Sequence, residues 1–408
     1  MSFQQGLSGL NAASKSLDVI SNNVANASTI GFKQSQAQFA DVFANTLSGS
    51  GGSQVGIGSK LASVSQLFSQ GNVSVTNNPL DLAVNGRGFF RMSDEGSISY
   101  SRNGQFQIDK DGHIINGSGL RLTGYLANVA GVLDTAAPTE LVIPNNDLTP
   151  SATSEVNAVL NMDSRSATLS AAAFDLADPA TYHNSTSVAI YDSLGNAHTL
   201  STYFLKTAAN TWQVFAANDG VQIGAAAVGT LTFKADGSID AATTALLPFS
   251  ISTAVTTGAT TPLVFDIDFT GTTQFGSSFG VNSLAQDGYT SGRLSGFAIG
   301  GDGIILGRYT NGQSGTLGQV ILANFNNAQG LQPLGDNGWA ETSVSGVPLV
   351  GSPSSGSLGA LQSAAVEESN VDLTAELVNM ITAQRIYQAN AQSIKTQDAV
   401  LQTLVNLR

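Results

Sequence analysis

Cysteine is absent from all 408 residues. The chain therefore has no disulfide bond, no thiolate metal site and no cysteine nucleophile. Charged residues are scarce, at 11% against about 25% in an average soluble protein. No apolar run approaches the roughly 18 residues that span a bilayer. The first ten residues also lack a basic segment followed by an apolar one, so we expect neither membrane insertion nor a cleaved signal peptide.

The charge that is present is mostly negative, with 29 acidic and 16 basic residues and a net charge of −13. A negative chain is repelled by phosphate backbones, so nucleic acid is not an expected partner. Hydrophobic residues make up 42% of the chain and glycine is abundant, at 44 residues. This composition favours a secreted β-rich or filament-forming protein over a cytosolic enzyme.

The N-terminal segment predicts a helix with a narrow apolar stripe. Apolar residues recur at alternating spacings of three and four, the pattern of a coiled coil: Phe3, Leu7, Leu10, Leu17 and Val24. Gly6 and Gly9 lie inside this helix, where each costs about 1 kcal/mol relative to alanine. They indicate either a helix that needs a partner or a frayed first turn.

The C-terminal segment predicts a longer helix, because no glycine or proline interrupts residues 370–408. Its length would be about 55 Å. Ser369, Asn370 and Asp372 can cap its start. The helix either forms half of a coiled coil or packs on its own domain. Its stripe consists of Leu373, Leu377, Met380, Tyr387, Ile394, Leu401 and Val405, with Gln384 and Asp398 as polar members.

The middle of the chain predicts antiparallel β structure. Short alternating runs flank the turns Asp111-Gly112, Leu194-Gly195-Asn196, Asp236-Gly237 and Asp302-Gly303, where glycine supplies the positive φ of a hairpin. The predicted fold class is multidomain α+β, with N- and C-terminal α-helices forming a coiled-coil-like pair and two mainly antiparallel β domains between them.

The expected domains follow changes in composition along the chain. Residues 31–77 form an extended linker with a glycine-rich loop from Gly49 to Gly58, and the insert at 148–287 carries a charge balance of −8. The insert is expected to be a solvated outer β domain. The remaining assignments are a helical domain at 1–30 and 365–408 and an inner β domain at 78–147 and 288–364.

Motifs for chemistry are weak throughout the chain. Asp109, Asp111 and Gly112 lack the further oxygen ligands of a calcium loop, and a hairpin turn explains them better. His113, His183 and His198 lie at no ligand spacing. Gly86-Arg-Gly88 lacks the third glycine and the following helix of a dinucleotide site. We therefore expect no catalytic residues, no metal and no cofactor.

Two terminal motifs carry a family resemblance. Residues 17–33, Leu-Asp-Val-Ile-Ser-Asn-Asn-Val-Ala-Asn-Ala-Ser-Thr-Ile-Gly-Phe-Lys, resemble the N-terminal signature of flagellar rod and hook axial proteins. Residues 368–398 are similar to the matching C-terminal signature, and residues 83–125 and 318–339 to the inner β domain. Six residues match the first motif: Asn22, Asn23, Asn26, Gly31, Phe32 and Lys33.

The resemblance implies a structural subunit that polymerises into a hollow, flexible tube and carries torque from rod to filament. Terminal helices would line a channel, with the insert outside. The implied partners are further copies of the chain, rod, hook-cap and hook–filament junction proteins, and the flagellar type III export apparatus. The implied location is the extracellular hook and basal body. The large insert favours the hook over a distal rod subunit; a secreted adhesin and an enzyme are weaker alternatives.

Overall fold

The computed structural model describes residues 2–42, 56–128, 131–144 and 146–406. It divides the chain into two compact units. Unit 1 comprises Met1–Asn145, Gly296–Gly307 and Ser314–Arg408, and unit 2 comprises Asn146–Ser295 and Arg308–Gln313. Most of the predicted Gly49–Gly58 loop lies outside the described residues. The sequence predicted an insert at residues 148–287, with borders between 147 and 148 and between 287 and 288.

Three α-helices are present in the described residues: α1 Ser2–Ala25, α2 Ala241–Thr244 and α3 Leu373–Asn406. Short 3₁₀ turns occur at Ala171–Ala173, Pro179–Thr181 and Ala328–Gly330. Helix α3 begins at the predicted cap, because the Asp372 carboxylate accepts hydrogen bonds from the backbone N–H groups of Thr374 and Ala375 at 2.9 and 3.1 Å. None of these helices is long and apolar enough to cross a membrane.

The strands occur in three groups along the described chain. The first is β1 Ser35–Val42, β2 Gly58–Gln66, β3 Val73–Val75, β4 Leu82–Asn85, β5 Phe89–Asp94, β6 Ser97–Ser101, β7 Phe106–Ile108, β8 Ile114–Asn116, β9 Arg121–Leu126 and β10 Thr139–Glu140. The second is β11 Glu155–Asp163, β12 Asn184–Tyr191, β13 Ala197–Ala208, β14 Thr211–Asn218, β15 Val221–Gln222, β16 Gly229–Thr232, β17 Phe249–Thr253, β18 Leu263–Asp268, β19 Thr273–Phe275 and β20 Gly280–Gln286. The third is β21 Leu294–Ile299, β22 Ile304–Tyr309, β23 Ser314–Val320, β24 Leu322–Asn324, β25 Gln332–Gly335, β26 Gly338–Ala340, β27 Leu349–Gly351, β28 Ala360–Ser363 and β29 Ala365–Glu367.

The inner sheet of unit 1 is assembled from both sides of the insert. Strand β5 pairs with β24, β6 with β26 and β9 with β23, all antiparallel. Its aromatic core includes Phe89, Tyr100 and Trp339, whose rings pack edge to face with their neighbours. Within the region predicted as an extended linker, β1 and β2 form a separate antiparallel ribbon.

Unit 2 contains two five-stranded sheets. One has the order β17-β18-β11-β19 with β20 also on β11, and the other has β12-β13-β14-β15 with β16 also on β14. Strand β11 pairs in parallel with β18 and β19, so the mainly antiparallel architecture includes two parallel pairs. A single apolar core contains side chains from both sheets, including the fully buried Leu160, Phe204, Trp212 and Phe265.

Most of the predicted hairpin turns are confirmed. Gly112, Gly195 and Gly303 have φ values of 89°, 82° and 80° and connect β7 to β8, β12 to β13 and β21 to β22. The turn at Gly237 is shorter than predicted. It closes one bridge between Phe233 and Ile239 instead of a two-stranded ladder.

Candidate assembly surface

Helices α1 and α3 pack against each other within unit 1. Gly9 lies beside Asn390, whereas Asn23 lies beside Glu376, so the two helices run antiparallel. A Cβ atom on Gly9 would lie 2.9 Å from the Asn390 side-chain amide. The glycine therefore permits a close approach of the helices, and α1 is helical from Ser2, not frayed through its first turn.

The side of α1 that packs differs from the predicted stripe. It carries the two glycines and follows a three-four spacing one position earlier along the chain. Small side chains are favoured there because they let two backbones approach closely and multiply the dispersion contacts between them. The buried or half-buried residues of this series are Gly6, Gly9, Ala13, Ser16, Ile20 and Asn23.

The predicted α1 stripe is thereby left on the flank of the helix pair. Phe3 and Leu7 are 47% and 44% exposed. Leu10, Leu17 and Val24 are half-buried. These side chains are available to a further contact, and their role in assembly stays a prediction.

The predicted α3 stripe is divided in the same way. Met380 and Ile394 are half-buried, with Ile394 beside Gly6. The remaining members are exposed, and the side chain of Val405 lies outside those that the structure describes. Exposed members of the stripe are Leu373, Leu377, Tyr387 and Leu401, and exposed apolar neighbours on α3 are Val378, Ile381, Ile386 and Val400.

The matched N-terminal motif forms the exit from α1. Asn23 is buried, and its side chain both donates to Ser35 O at 2.8 Å and accepts from Ser35 N at 2.9 Å. Asn26 bonds back to the exposed Asn22. Gly31 has a φ of 72°. These bonds direct the chain from the helix into β1.

Gly31, Phe32 and Lys33 are all buried where the motif meets the inner sheet. A Cβ on Gly31 would lie 2.6 Å from the backbone nitrogen of Asn103. The N–H of Gly31 donates to the backbone oxygen of Glu367 at 2.8 Å. The motif is therefore held by contacts that a side chain at residue 31 would displace.

A buried ionic cluster joins this motif to two distant segments. Lys33 Nζ lies 2.6 Å from Glu367 Oε1, and Arg102 Nη1 lies 3.0 Å from Glu367 Oε2. All three side chains are at most 3% exposed. Lys33 also donates to Ser69 O, and Gly71 N–H donates to Glu367. We call Lys33, Arg102 and Glu367 the junction cluster.

The two cations of the junction cluster share one carboxylate. Burial lowers the pKa of Lys33, Glu367 acts to raise it, and Arg102 acts to lower it further. Burial likewise lowers the pKa of Arg102, opposed by Glu367. The anion is therefore the group that makes burial of both cations tolerable.

Sequence reasoning found Lys33 but missed its partners. Glu367 directly precedes the C-terminal motif, and Arg102 lies in the segment similar to the inner β domain. The sequence around each of these residues does not indicate which distant side chain it contacts. It also missed Glu376, a buried residue in the first turn of α3. The sequence signal for Glu376 is its place in a series of α3 residues that recur at alternating spacings of three and four. Ala383 and Asn390 belong to the same series and are buried or half-buried.

The expected hairpin at Asp109 brings three metal-ligand types together. Atoms of Asp109, Asp111 and His113 lie within 4.8 Å of one another. The Asp109 carboxylate accepts the N–H groups of Asp111 and His113 at 2.9 and 2.8 Å. The turn therefore accounts for the cluster without a metal ion.

Four family models match the chain. They are "Flagella basal body rod protein" at residues 3–33, "Flagellar hook protein FlgE/F/G D1 domain" at 83–158, "Flagellar basal body protein FlaE D2 domain" at 161–289 and "Flagellar basal body rod FlgEFG protein C-terminal" at 362–407. Their order along the chain follows the order of the terminal helices, inner sheet and insert.

Full-length relatives extend the comparison. The chain is 43% identical over its whole length to the flagellar hook protein FlgE of Salmonella typhimurium, all of which is covered. It is 33% identical to that of Borreliella burgdorferi, covering 100% of this chain and 99% of the relative. The crystal structure of Helicobacter pylori FlgE2 superimposes with a TM-score of 0.53 at 13% identity, covering 72% of this chain and 99% of the other. At that identity the last comparison supports the fold alone.

Proposed function

The chain belongs to the flagellar hook protein family, and from this premise we propose how its terminal helices build the hook. It is a structural subunit of the bacterial flagellar hook and not an enzyme. Self-polymerisation is the activity that its family supports. We infer that α1 and α3 form a coiled-coil-like pair whose uncovered stripes are buried by neighbouring copies.

The observation that carries this proposal is the uncovered apolar surface of α3. Leu373, Leu377 and Leu401 remain 47%, 45% and 55% exposed, although α3 also packs against α1. Burying an apolar side chain contributes about 1.5–3 kcal/mol. A contact that does not close on itself, repeated from copy to copy, then gives a helical filament.

The remaining parts of the proposal follow from the family. The tube is hollow and flexible and transmits torque, and the acidic insert lies on its outside. Its partners are the rod, the hook cap, the hook–filament junction proteins and the type III export apparatus, which exports the chain without a cleaved signal peptide. The mainly apolar stripes and the absence of cysteine fit a tube held by non-covalent contacts.

The proposal is tested by removing apolar surface without touching the helix pair. Leu377→Asp together with Leu401→Asp places two charges on the uncovered stripe, and we expect no tubes by electron microscopy under conditions where the unmodified chain forms them. The exposed polar residues Gln388 and Gln392, changed together to Asp, are the matched control. Tubes from the leucine variant would contradict the proposed role of the stripe. Straight tubes from the unmodified chain would favour the distal rod alternative.

A further inference from the structure

A groove of about 370 Å³ lies within unit 1 between α1, α3 and the start of β1. Ile20 and Asn23 border it from α1, and Glu376, Ala383 and Ile386 border it from α3. Leu67 and residues 34–37 complete the wall. The groove is therefore formed by the same segments that we propose to assemble.

The Glu376 carboxylate in this groove is incompletely paired. Its side chain is 3% exposed, and Oε1 accepts a hydrogen bond from Gln34 Nε2 and a longer one, at 3.5 Å, from Asn23 Nδ2. Oε2 is buried and has no hydrogen-bond partner among the described residues. Every ion pair of the described residues is made by other groups.

An unpaired buried carboxylate oxygen is unfavourable in the isolated subunit. Leaving such a group without a donor costs about 1–3 kcal/mol, and more when it is charged. The position of Glu376 in the first turn of α3 offsets part of the charge, because helix N-termini favour anions. It does not supply a donor to Oε2. The chemistry that completes the site is a cationic N–H donor.

The same helix presents such a donor on its opposite side. Arg385 is exposed and makes no ion pair within the described residues. It follows Glu376 by nine residues, which at about 100° per residue is half a turn away around the helix and about 13.5 Å along it. Arg385 therefore cannot reach Glu376 of its own chain, but it can reach the groove of a copy placed alongside.

We propose that the groove receives Arg385 from a second copy of this chain, whose guanidinium donates to Glu376 Oε2 once rotation of the carboxylate turns this buried oxygen towards the groove. Charge complementarity favours this occupant, and the two opposite faces of α3 make the contact heterologous, the type that continues from copy to copy. The inference rests on the proposed function, because it names one contact of the polymer. It requires adjacent copies to be displaced by about 14 Å along the helix direction.

A double-mutant cycle tests the pair. Glu376→Gln keeps the shape and the Oε1 acceptor, and Arg385→Gln changes only an exposed side chain. Truncating one partner of a desolvated charge pair weakens binding by more than about tenfold. We expect each single variant to raise the critical concentration for polymerisation at least tenfold, and the double variant to raise it no further. Circular dichroism of the soluble variants checks that each subunit stays folded.

Lys395→Gln is the matched control, because Lys395 is an exposed cation on the same helix but about 100° away from the face of Glu376. We expect its critical concentration to stay within about twofold of the unmodified chain. Glu376→Gln subunits that assemble at the unmodified concentration, or single effects that simply add, would overturn the pair. An unmodified chain that never polymerises would instead overturn the proposed function.

Zero-length cross-linking gives a second, independent measurement. A carbodiimide joins a carboxylate to an amine only when the two groups touch, so Arg385→Lys keeps the cation and makes the contact reactive. We expect a ladder of covalent oligomers from assembled tubes, with the linked peptides containing residues 376 and 385. The ladder should disappear when Glu376→Gln is added. A ladder of unchanged intensity after Glu376→Gln would assign the cross-link to another carboxylate and contradict the pair.

Discussion

Gly9 lies so close to Asn390 that even a methyl group on Gly9 would press against the Asn390 amide, at 2.9 Å. The backbone approach of α1 and α3 therefore depends on a residue without a side chain. We predict that Gly9→Leu separates the helices and prevents polymerisation, measured by sedimentation and electron microscopy.

Two controls isolate the effect of Gly9. Gly9→Ala meets only the movable end of Asn390 and gains helix propensity of about 1 kcal/mol, so it should still polymerise. Asn11→Leu adds the same side chain at an exposed position and should polymerise as well. Normal tubes from Gly9→Leu would show that the close approach is dispensable.

The junction cluster predicts an unequal response to removing its charges. Glu367→Gln leaves Lys33 and Arg102 buried without an anion, and breaking a buried pair in this way costs about 3–5 kcal/mol. Lys33→Met leaves the Arg102–Glu367 pair intact and should destabilise unit 1 less. The measurement is urea unfolding followed by fluorescence of Trp339, in a Trp212→Phe background that removes the other tryptophan.

The surface control for this comparison is Lys15→Met. Lys15 pairs with Asp18 at 3.2 Å, but its side chain is 61% exposed. Its loss should change the free energy of unfolding by less than about 1 kcal/mol. Equal urea midpoints for Glu367→Gln and the unmodified chain would refute the role assigned to the anion.

The stability of unit 2 should depend on pH through His198. Burial lowers the pKa of His198, but hydrogen bonds with Asp219 and Asp192 outweigh this and raise it above 6.5. The imidazolium therefore stabilises the folded unit fully below pH 6.5, and this contribution is lost as pH rises through the raised pKa. Hydrogen bonds with the same histidine help to lower the pKa of Asp192 and Asp219 below 3.8, although burial alone would raise it.

Those two carboxylates stabilise the folded unit above pH 3.8, and their contribution is lost on further acidification. The contribution of these three groups to the urea midpoint, followed by Trp212 fluorescence, should therefore be greatest between about pH 4 and 6.5. His198→Gln should flatten the fall on the alkaline side. A fall of unchanged size in that variant would assign the pH dependence to another group.

Assembly should increase the helical content of the chain. The exposed stripes at residues 1–30 and 365–408 are covered only when neighbours bind, and helices of this kind gain most of their stability from packing. Although α1 and α3 are helical and packed together in the structure of the single chain, we predict that their ends fray in the free subunit in solution and become fully helical in the tube. Far-ultraviolet circular dichroism before and after polymerisation measures the change, and identical spectra would contradict it.

The acidic insert should remain accessible on assembled tubes. Val221 is 71% exposed beside the turn at Asp219-Gly220, so a protease recognition sequence inserted at this turn can be read out directly. We expect it to be cut at similar rates in free subunits and in tubes. Protection in tubes alone would place this part of unit 2 in a subunit contact.

Local features of the fold were predictable from sequence because their causes are local. The turns at Gly112, Gly195 and Gly303 depend on a positive φ that glycine provides. The cap of α3 by Asp372 depends on its own following N–H groups. Neither needs information from a distant segment.

The contact between the helices was harder to predict. Large apolar residues such as Leu7 and Leu10 mark the most hydrophobic stripe, but the packed side contains Gly6 and Ala13. Hydrophobicity identifies surface that must be buried somewhere, not which partner buries it. The residues that gain from close approach are small and carry little hydrophobic signal.

The junction cluster shows a second limit. Lys33 stood out only as part of a motif, because its partner Glu367 is 334 positions away in the chain. Likewise, nothing in the sequence next to Glu376 indicates that one of its oxygens lacks a donor. Such features depend on which segments the whole topology brings together.

The separation of Lys33 and Glu367 along the chain also sets an order of events during synthesis. Synthesis continues for 334 positions after Lys33 before the carboxylate that neutralises it exists, and closing so long a loop is entropically unfavourable. Until then we expect Lys33 to remain hydrated, because burying its charge without an anion would be strongly unfavourable. We therefore expect docking of the N-terminal motif to wait for the segment that contains Glu367.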